Sequence, residues 1–153
     1  DCCAGDTYAS ELGILSKSPP RMVTKLWKVA QPGTNGGVSA LGALASAGGG
    51  ITMGLCHAAF LLPPSLREAA ALMYVGLLAG VGGSLLDSLL GATVQASYYD
   101  EERKRIVRKP TATTRHVSGL PILSNEMVNF VSTALVALAA YAAPRLLLLR
   151  FAT

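Results

Sequence analysis

The stretch Ala69–Val94, AAALMYVGLLAGVGGSLLDSLLGATV, decides the fold. Its 26 residues carry one formal charge, Asp87. About 20 consecutive apolar residues let a helix cross the hydrocarbon core of a bilayer, so this segment reads as a membrane span. Upstream, Gly37–Leu62 is a second stretch of 26 residues, with no formal charge when His57 is neutral. Pro63-Pro64 ends it, and the link to Glu68 is too short for anything but an antiparallel pair of spans. Downstream, Val128–Leu149 reads as a third span, interrupted late by Pro144-Arg145. Arg145 is near enough to the end of that span to reach the headgroups. The expected fold class is therefore all-α. It is a polytopic transmembrane helix bundle with spans at about 37–62, 69–94 and 128–149, in one membrane domain over residues 1–153.

Composition agrees. Charged residues are 14% of the 153, hydrophobic residues 51% and aromatic residues 6%, whereas soluble domains carry about 25% charged residues. Sixteen glycines are many for a water-soluble helical protein, where each weakens a helix by roughly 1 kcal/mol. In lipid they allow close helix approach. Disorder, a collagen-like fibre and a disulfide scaffold are disfavoured. Cys2, Cys3 and Cys56 form no CxxC and no metal-ligand spacing.

The net charge of +4 does not signal nucleic acid, because the charge is segregated. Of 13 basic residues, four lie in Lys17–Lys28 and six in Arg103–Arg115. Segregated basic loops flanking apolar runs mark the cytoplasmic side of a membrane protein. The segment before Gly37 and the loop 98–125 are expected on that side, with Pro63–Glu68 and the C-terminus opposite. Tyr98 and Tyr99 sit where an interfacial aromatic belt would be. Asp100, Glu101 and Glu102 facing Arg103, Lys104 and Arg105 read as a solvated loop. Asp1–Leu15 has neither the basic nor the apolar region of a signal peptide. It reads as the end of an earlier helix, and the chain as a C-terminal piece of a larger membrane protein. An endomembrane and a plastid envelope are both compatible with this pattern.

Small residues recur every four positions at Gly42, Ser46, Gly50, Gly54 and Ala58, and again at Gly76, Gly80, Ser84, Ser88 and Ala92. Such stripes pack helices backbone to backbone. Asp87 interrupts the second span, about 15 Å from Ser97 at 1.5 Å per residue. An ionised carboxylate at the centre of a span costs at least about 2.5 kcal/mol unless paired or hydrated. It reads either as a hydrogen-bonded structural acid or as a metal or proton site. Asp6 and Glu11 lie about 140° apart on a helix. They are either an N-cap and an interfacial acid, or two groups that reach one cavity if the backbone breaks at a flanking glycine. Thr34, Asn35, Gly36 and Gly37 lie in Pro32-Gly-Thr-Asn-Gly-Gly-Val-Ser39, which is either a capped turn or a cradle of backbone N–H groups for phosphate. No Lys-Ser/Thr follows the glycines, so it is not a Walker A loop. Ser88 and Gln95 are polar residues of the Asp87 helix. Asn125 and Asn129 open the third span, and Asn129 needs a partner across the bundle.

Together, Asp6-Thr-Tyr-Ala-Ser-Glu-Leu-Gly13, the Pro32–Ser39 loop, Gly83-Ser-Leu-Leu-Asp-Ser-Leu-Leu-Gly-Ala-Thr-Val-Gln95, Arg115-His-Val-Ser-Gly119 and Asn125-Glu-Met-Val-Asn129 resemble the transmembrane protein 19 family. This family is also named domain of unknown function 92 and includes phytyl-phosphate kinase. The resemblance implies a multi-pass membrane protein that transfers phosphoryl from a nucleoside triphosphate, CTP or ATP, to an isoprenoid monophosphate. It implies Mg²⁺ at Asp87, Asp6 and Glu11, which would be the catalytic residues. It also implies phosphate binding at Thr34–Gly37, with Ser88, Gln95, Asn125 and Asn129 as supporting polar groups. The lipid bilayer and the isoprenoid phosphate are the expected partners. Two alternatives remain: a transporter or flippase that uses Asp87, and a non-enzymatic structural membrane protein.

Overall fold

A computed structural model describes residues 2–62 and 65–151, the last nine of them and Cys2 by their backbone alone. In chain order the elements are α1 (Cys2–Gly13), β1 (Arg21–Met22), β2 (Lys25–Val29), β3 (Gly37–Val38), α2 (Ala40–Leu61), α3 (Leu66–Val94), β4 (Ser97–Asp100), β5 (Arg105–Val107), β6 (Thr114–Ser118) and α4 (Asn125–Phe151).

The long helices begin where their caps dictate. The Ser39 hydroxyl accepts from the Gly42 amide at 3.0 Å and starts α2. The Ser65 hydroxyl accepts from the Glu68 amide at 3.2 Å and starts α3. Each hydroxyl satisfies a donor that has no partner inside its helix. At its other end α2 stops at Leu62, whose φ of 45° is left-handed. The Pro63-Pro64 stop lies outside the described residues, as does the side chain of Arg145. Among the described residues, α2 and α3 are long and apolar enough to cross a membrane.

The packing is inside-out relative to a water-soluble protein. The buried residues of α2 are Gly42, Ser46, Gly49, Gly50 and Gly54, and those of α3 are Gly76, Gly80, Gly83, Ser84 and Gly91. Large side chains face outward: Leu44 is 71% exposed, Leu66 86% and Leu78 55%. Water would penalise that exposure, and lipid does not. The two stripes meet directly. A Cβ at Gly80 would lie 2.8 Å from both the Gly50 Cα and the Ser46 carbonyl oxygen, and one at Gly54 would lie 2.6 Å from the Met73 Cα. α1 joins the same seam, since a Cβ at Gly5 would lie 2.6 Å from the Gly80 carbonyl oxygen.

The all-α expectation needs correction, because the two basic segments are folded into small sheets. In the first, β1 pairs antiparallel with both β2 and β3. In the second, β4 pairs antiparallel with β5 and β6, setting Tyr98 opposite Val107 and His116, and Tyr99 opposite Ile106 and Arg115. Both tyrosines therefore belong to a strand. KLWKV, SYYD and TRHVS are rich in β-branched and aromatic residues, and that preference outweighs their charge. Nor is 100–103 simply solvated. Asp100 is 3% exposed, and its Oδ1 accepts from the Glu102 and Arg103 amides, each at 3.0 Å.

Candidate polar site between the helices

α3 ends at Val94, and the chain around that end fixes the site. Leu120 donates its amide to the Thr93 carbonyl at 2.8 Å, and Leu123 donates to that of Val94 at 2.9 Å. These bonds occupy carbonyls that a helix end leaves open. Gly119 makes the approach possible: its φ is +71°, and a Cβ there would collide with the Gln95 carbonyl. His116 clips this turn from β6, with its Nε2 2.7 Å from the Gly119 carbonyl oxygen and its ring edge-on to Tyr98 at 5.5 Å.

The loop 32–39 is anchored on the same helix end. The Asn35 side-chain amide donates to the Ala96 carbonyl at 3.1 Å, and its backbone N–H donates to the Ser97 hydroxyl at 3.0 Å. Gly36, with φ +79°, lies against α3 so closely that a Cβ would sit 2.8 Å from the Ser88 carbonyl oxygen. The Gly37 amide donates to the Thr34 carbonyl at 2.9 Å. The amides of Asn35 and Gly37 are thus already bonded within the protein, and the expected row of open N–H groups is shortened. Thr34 differs: it is 5% exposed and its hydroxyl has no hydrogen-bond partner.

These parts enclose a cavity of about 740 Å³. Asp6 and Glu11 from α1, Thr34, Asn35, Gly36 and Gly37 from the loop, Asp87, Ser88 and Gln95 from α3 and its end, and Asn125 and Asn129 from α4 all line it. Segments up to 123 residues apart therefore contribute to one polar chamber. Asp87 faces α4, where the Ser132 hydroxyl donates to its Oδ2 at 3.1 Å. That hydroxyl also lies 3.1 Å from the Asn129 carbonyl oxygen. The Gln95 side-chain amide donates to Asn125 Oδ1 at 3.3 Å. Asp6 lies within electrostatic reach of Asp87.

The three expected carboxylates share the chamber without forming one cluster. Among the described residues, no three Asp, Glu, His or Cys side chains gather closely enough to hold a metal. The reason is local: α1 is continuous over Cys2–Gly13, so no break at a glycine cancels the angular separation of Asp6 and Glu11. Asp6 with Asp87 is the acidic pair that the packing brings together.

With the geometry established, comparison with known proteins gives the family. The family model described as integral membrane protein DUF92 matches residues 1–137. The chain belongs to this family. It is 45% identical over 140 residues to "Protein PGR" of Arabidopsis thaliana, covering 88% of this chain and 48% of that protein. It is 34% identical over 128 residues to "Uncharacterized membrane protein MJ0933" of Methanocaldococcus jannaschii, covering 84% of this chain and 41% of that protein. The chain thus spans about half the length or less of these curated relatives. No solved structure matches it.

For this DUF92 member, several lining residues go beyond those singled out from the sequence. Ser39, Ser46 and Ser84 add hydroxyls from the helix stripes, and Lys17 and Arg108 add positive charge from the two basic segments. Ser46 was legible as a small packing residue, and Ser84 as a packing residue that also shares the face of Asp87. Ser132, which bonds to Asp87, was legible as the inward continuation of Asn125 and Asn129 on the same helix. Arg108 had no such signal, since its approach depends on the β4–β5–β6 sheet.

Proposed function

We propose that this chain forms part of an integral membrane enzyme that transfers a phosphoryl group from a nucleoside triphosphate to an isoprenoid monophosphate. The observation that carries the reading is the composition of the chamber. It combines the acidic pair Asp6 and Asp87, the unpartnered buried hydroxyl of Thr34, and the cations Lys17 and Arg108.

Phosphoryl transfer needs positioning and charge neutralisation more than covalent help from the protein. A phosphate oxygen of the acceptor lipid would form a bond to the terminal phosphorus of the nucleotide. The bond to the bridging oxygen would break, and the nucleoside diphosphate would leave with that electron pair. Thr34 is set to donate to a phosphate oxygen, and Lys17 and Arg108 to offset phosphate charge. Asp6 and Asp87 suit a hard divalent cation. Mg²⁺ is commonly held by one or two carboxylates together with substrate phosphates and water, so a three-carboxylate cluster is not required. When bound, the cation would supply charge neutralisation at the phosphates. The isoprenoid chain would lie among the outward apolar side chains of the helices, in the hydrocarbon.

Transport by discontinuous helices is the less favoured reading. Such transporters place their sites at unwound mid-membrane segments, whereas α2 and α3 run unbroken from Ala40 to Leu61 and from Leu66 to Val94.

The test is to purify the full-length protein and supply phytyl or farnesyl phosphate with CTP or ATP and Mg²⁺. Formation of the lipid diphosphate, lost in Asp87→Asn, is the expected result. Absence of diphosphate with every pair, or full activity in the variant, would overturn the proposal.

A further inference from the structure

The strand β2, Lys25-Leu-Trp-Lys-Val29, has no buried residue. Trp27 is 79% exposed, Leu26 58% and Val29 54%. It is the outer strand of its sheet and pairs only with the two-residue β1. The sheet is small, with strands of two to five residues, and three large apolar side chains on its outer strand are each more than half exposed. The same segment is strongly basic. Lys17, Arg21, Lys25 and Lys28 lie in a run with no acidic residue between Glu11 and Glu68.

Its height relative to the membrane follows from chain connectivity. β3 ends at Val38, Ser39 caps the next helix, and the span α2 begins at Ala40. The sheet that carries β2 is thus attached at the very mouth of a spanning helix. α1 ends at the same level, because a Cβ at Gly13 would lie 3.4 Å from the Ser39 hydroxyl oxygen and 3.5 Å from the Gly42 Cα. Just beyond it, Ile14 and Leu15 are 66% and 71% exposed. Two exposed apolar patches therefore sit at the boundary of the span, on the side where the basic residues collect.

We infer that the β1–β2 hairpin docks on the membrane's own anionic headgroup surface, with Trp27 at the headgroup–acyl boundary and Lys25 and Lys28 against acidic lipid headgroups. The geometry suits this occupant. The register jumps from Lys25 opposite Met22 to Val29 opposite Arg21, so β2 bulges across 26–28 and all five of its residues are exposed. The exposed indole of Trp27, with Leu26 and Val29 near it, presents an apolar centre, and Lys25 and Lys28 on either side of it in the chain can extend to phosphate, as interfacial tryptophans and lysines do. Arg21 braces the hairpin, its guanidinium Nη1 donating to the Leu26 carbonyl at 2.9 Å. This inference does not depend on the phosphotransferase reading.

The experiment uses the full-length protein in nanodiscs, with Trp27→Phe as the reference, so that the difference in emission isolates Trp27. Discs contain phosphatidylcholine alone or with phosphatidylserine, with and without bromine on the acyl chains. The expected result is blue-shifted difference emission, quenched by bromolipid. Bromine high on the chain should quench more than bromine near its end, and phosphatidylserine should increase the quenching. Replacing Lys25 or Lys28 by Gln is expected to lower the docked-to-free ratio about fivefold per lysine in phosphatidylserine discs. Emission insensitive to bromolipid overturns the inference, whether red-shifted, as for a hairpin in water, or blue-shifted, as for one covered by protein. Quenching that ignores both phosphatidylserine and the lysine replacements overturns the choice of an anionic surface.

Discussion

The Ser132 hydroxyl donates to Asp87 Oδ2 at 3.1 Å, tying α4 to the one acidic residue of α3's apolar stretch. An amide oxygen still accepts that hydrogen bond, though less strongly than a carboxylate, so Asp87→Asn largely separates chemistry from packing. The substitution should leave the melting temperature in detergent nearly unchanged. It should lower phosphoryl transfer by about 100-fold or more, the scale of removing one group that stabilises developing charge. Ser132→Ala should do the reverse in part. It removes a bond of the kind worth about 0.6 kcal/mol between membrane helices, giving a small loss of melting temperature and only a modest loss of turnover. Equal loss of stability and activity in Asp87→Asn would mean that the acid is structural.

Thr34 poses the opposite case, a buried hydroxyl with no partner. An unpaired buried polar group costs about 1–3 kcal/mol. Thr34→Val keeps the shape and removes the group, so the variant should be at least as stable as the parent by thermal unfolding. Its affinity for a phosphate-bearing ligand, measured by calorimetry, should fall about tenfold or more. That is the value of a hydrogen bond to a charged acceptor. Thr34→Ser should retain binding. A clear loss of stability in Thr34→Val would show that the hydroxyl serves the fold.

The spans and the chamber were legible in the sequence to different depths, for identifiable reasons. α2 and α3 could be read because hydropathy and length alone define a membrane helix, and their stripes because a spacing of four repeats along one face. Asp6, Thr34, Asp87, Asn125 and Asn129 stood out as polar groups that an apolar or glycine-rich setting leaves to be explained. Their meeting in one chamber depends on close backbone packing, such as Gly5 on Gly80, which no local pattern encodes. The two sheets were missed because KLWKV and TRHVS read as charged loop. Their strand character becomes decisive only when β1 and β4 are present to pair with. The loop Pro32–Ser39 read either as a capped turn or as an N–H cradle, and the sequence could not show that Gly36 packs closely on Ser88 and Ala92 while the Gly37 amide closes a turn onto Thr34.

The glycines of the two spans divide into a packed group and a free group, which gives a paired prediction. A Cβ at Gly80 would sit 2.8 Å from backbone atoms of α2, and one at Gly54 would sit 2.6 Å from the Met73 Cα. Neither neighbour yields without moving a helix. Gly80→Ala and Gly54→Ala should each destabilise by about 1–3 kcal/mol, the usual scale of overpacking. A Cβ at Gly48 or Gly82 meets nothing within 4 Å. Gly48→Ala and Gly82→Ala should be neutral or slightly stabilising. Thermal unfolding in one detergent ranks all four. A destabilised Gly82→Ala alongside an unaffected Gly80→Ala would contradict the packing described.

Asp100 makes the β4–β5 turn sensitive to acid. The Arg103 amide, first of all, holds its carboxyl below the ordinary value of 3.8, with help from the Glu102 amide, the Arg103 charge and the Thr113 hydroxyl against the opposing effect of burial. A carboxyl whose value is lower in the folded than in the unfolded chain binds fewer protons when folded. Its contribution to stability is therefore complete above about pH 4. It fades as pH falls from there through the lower folded value. The second sheet should loosen in that acid window, visible as faster amide exchange at Glu102 and Arg103. Asp100→Asn should flatten this part of the profile and lower stability at neutral pH, because a neutral amide oxygen is a weaker acceptor for the two backbone donors. An unchanged acid profile in the variant would assign the pH dependence to other carboxyls.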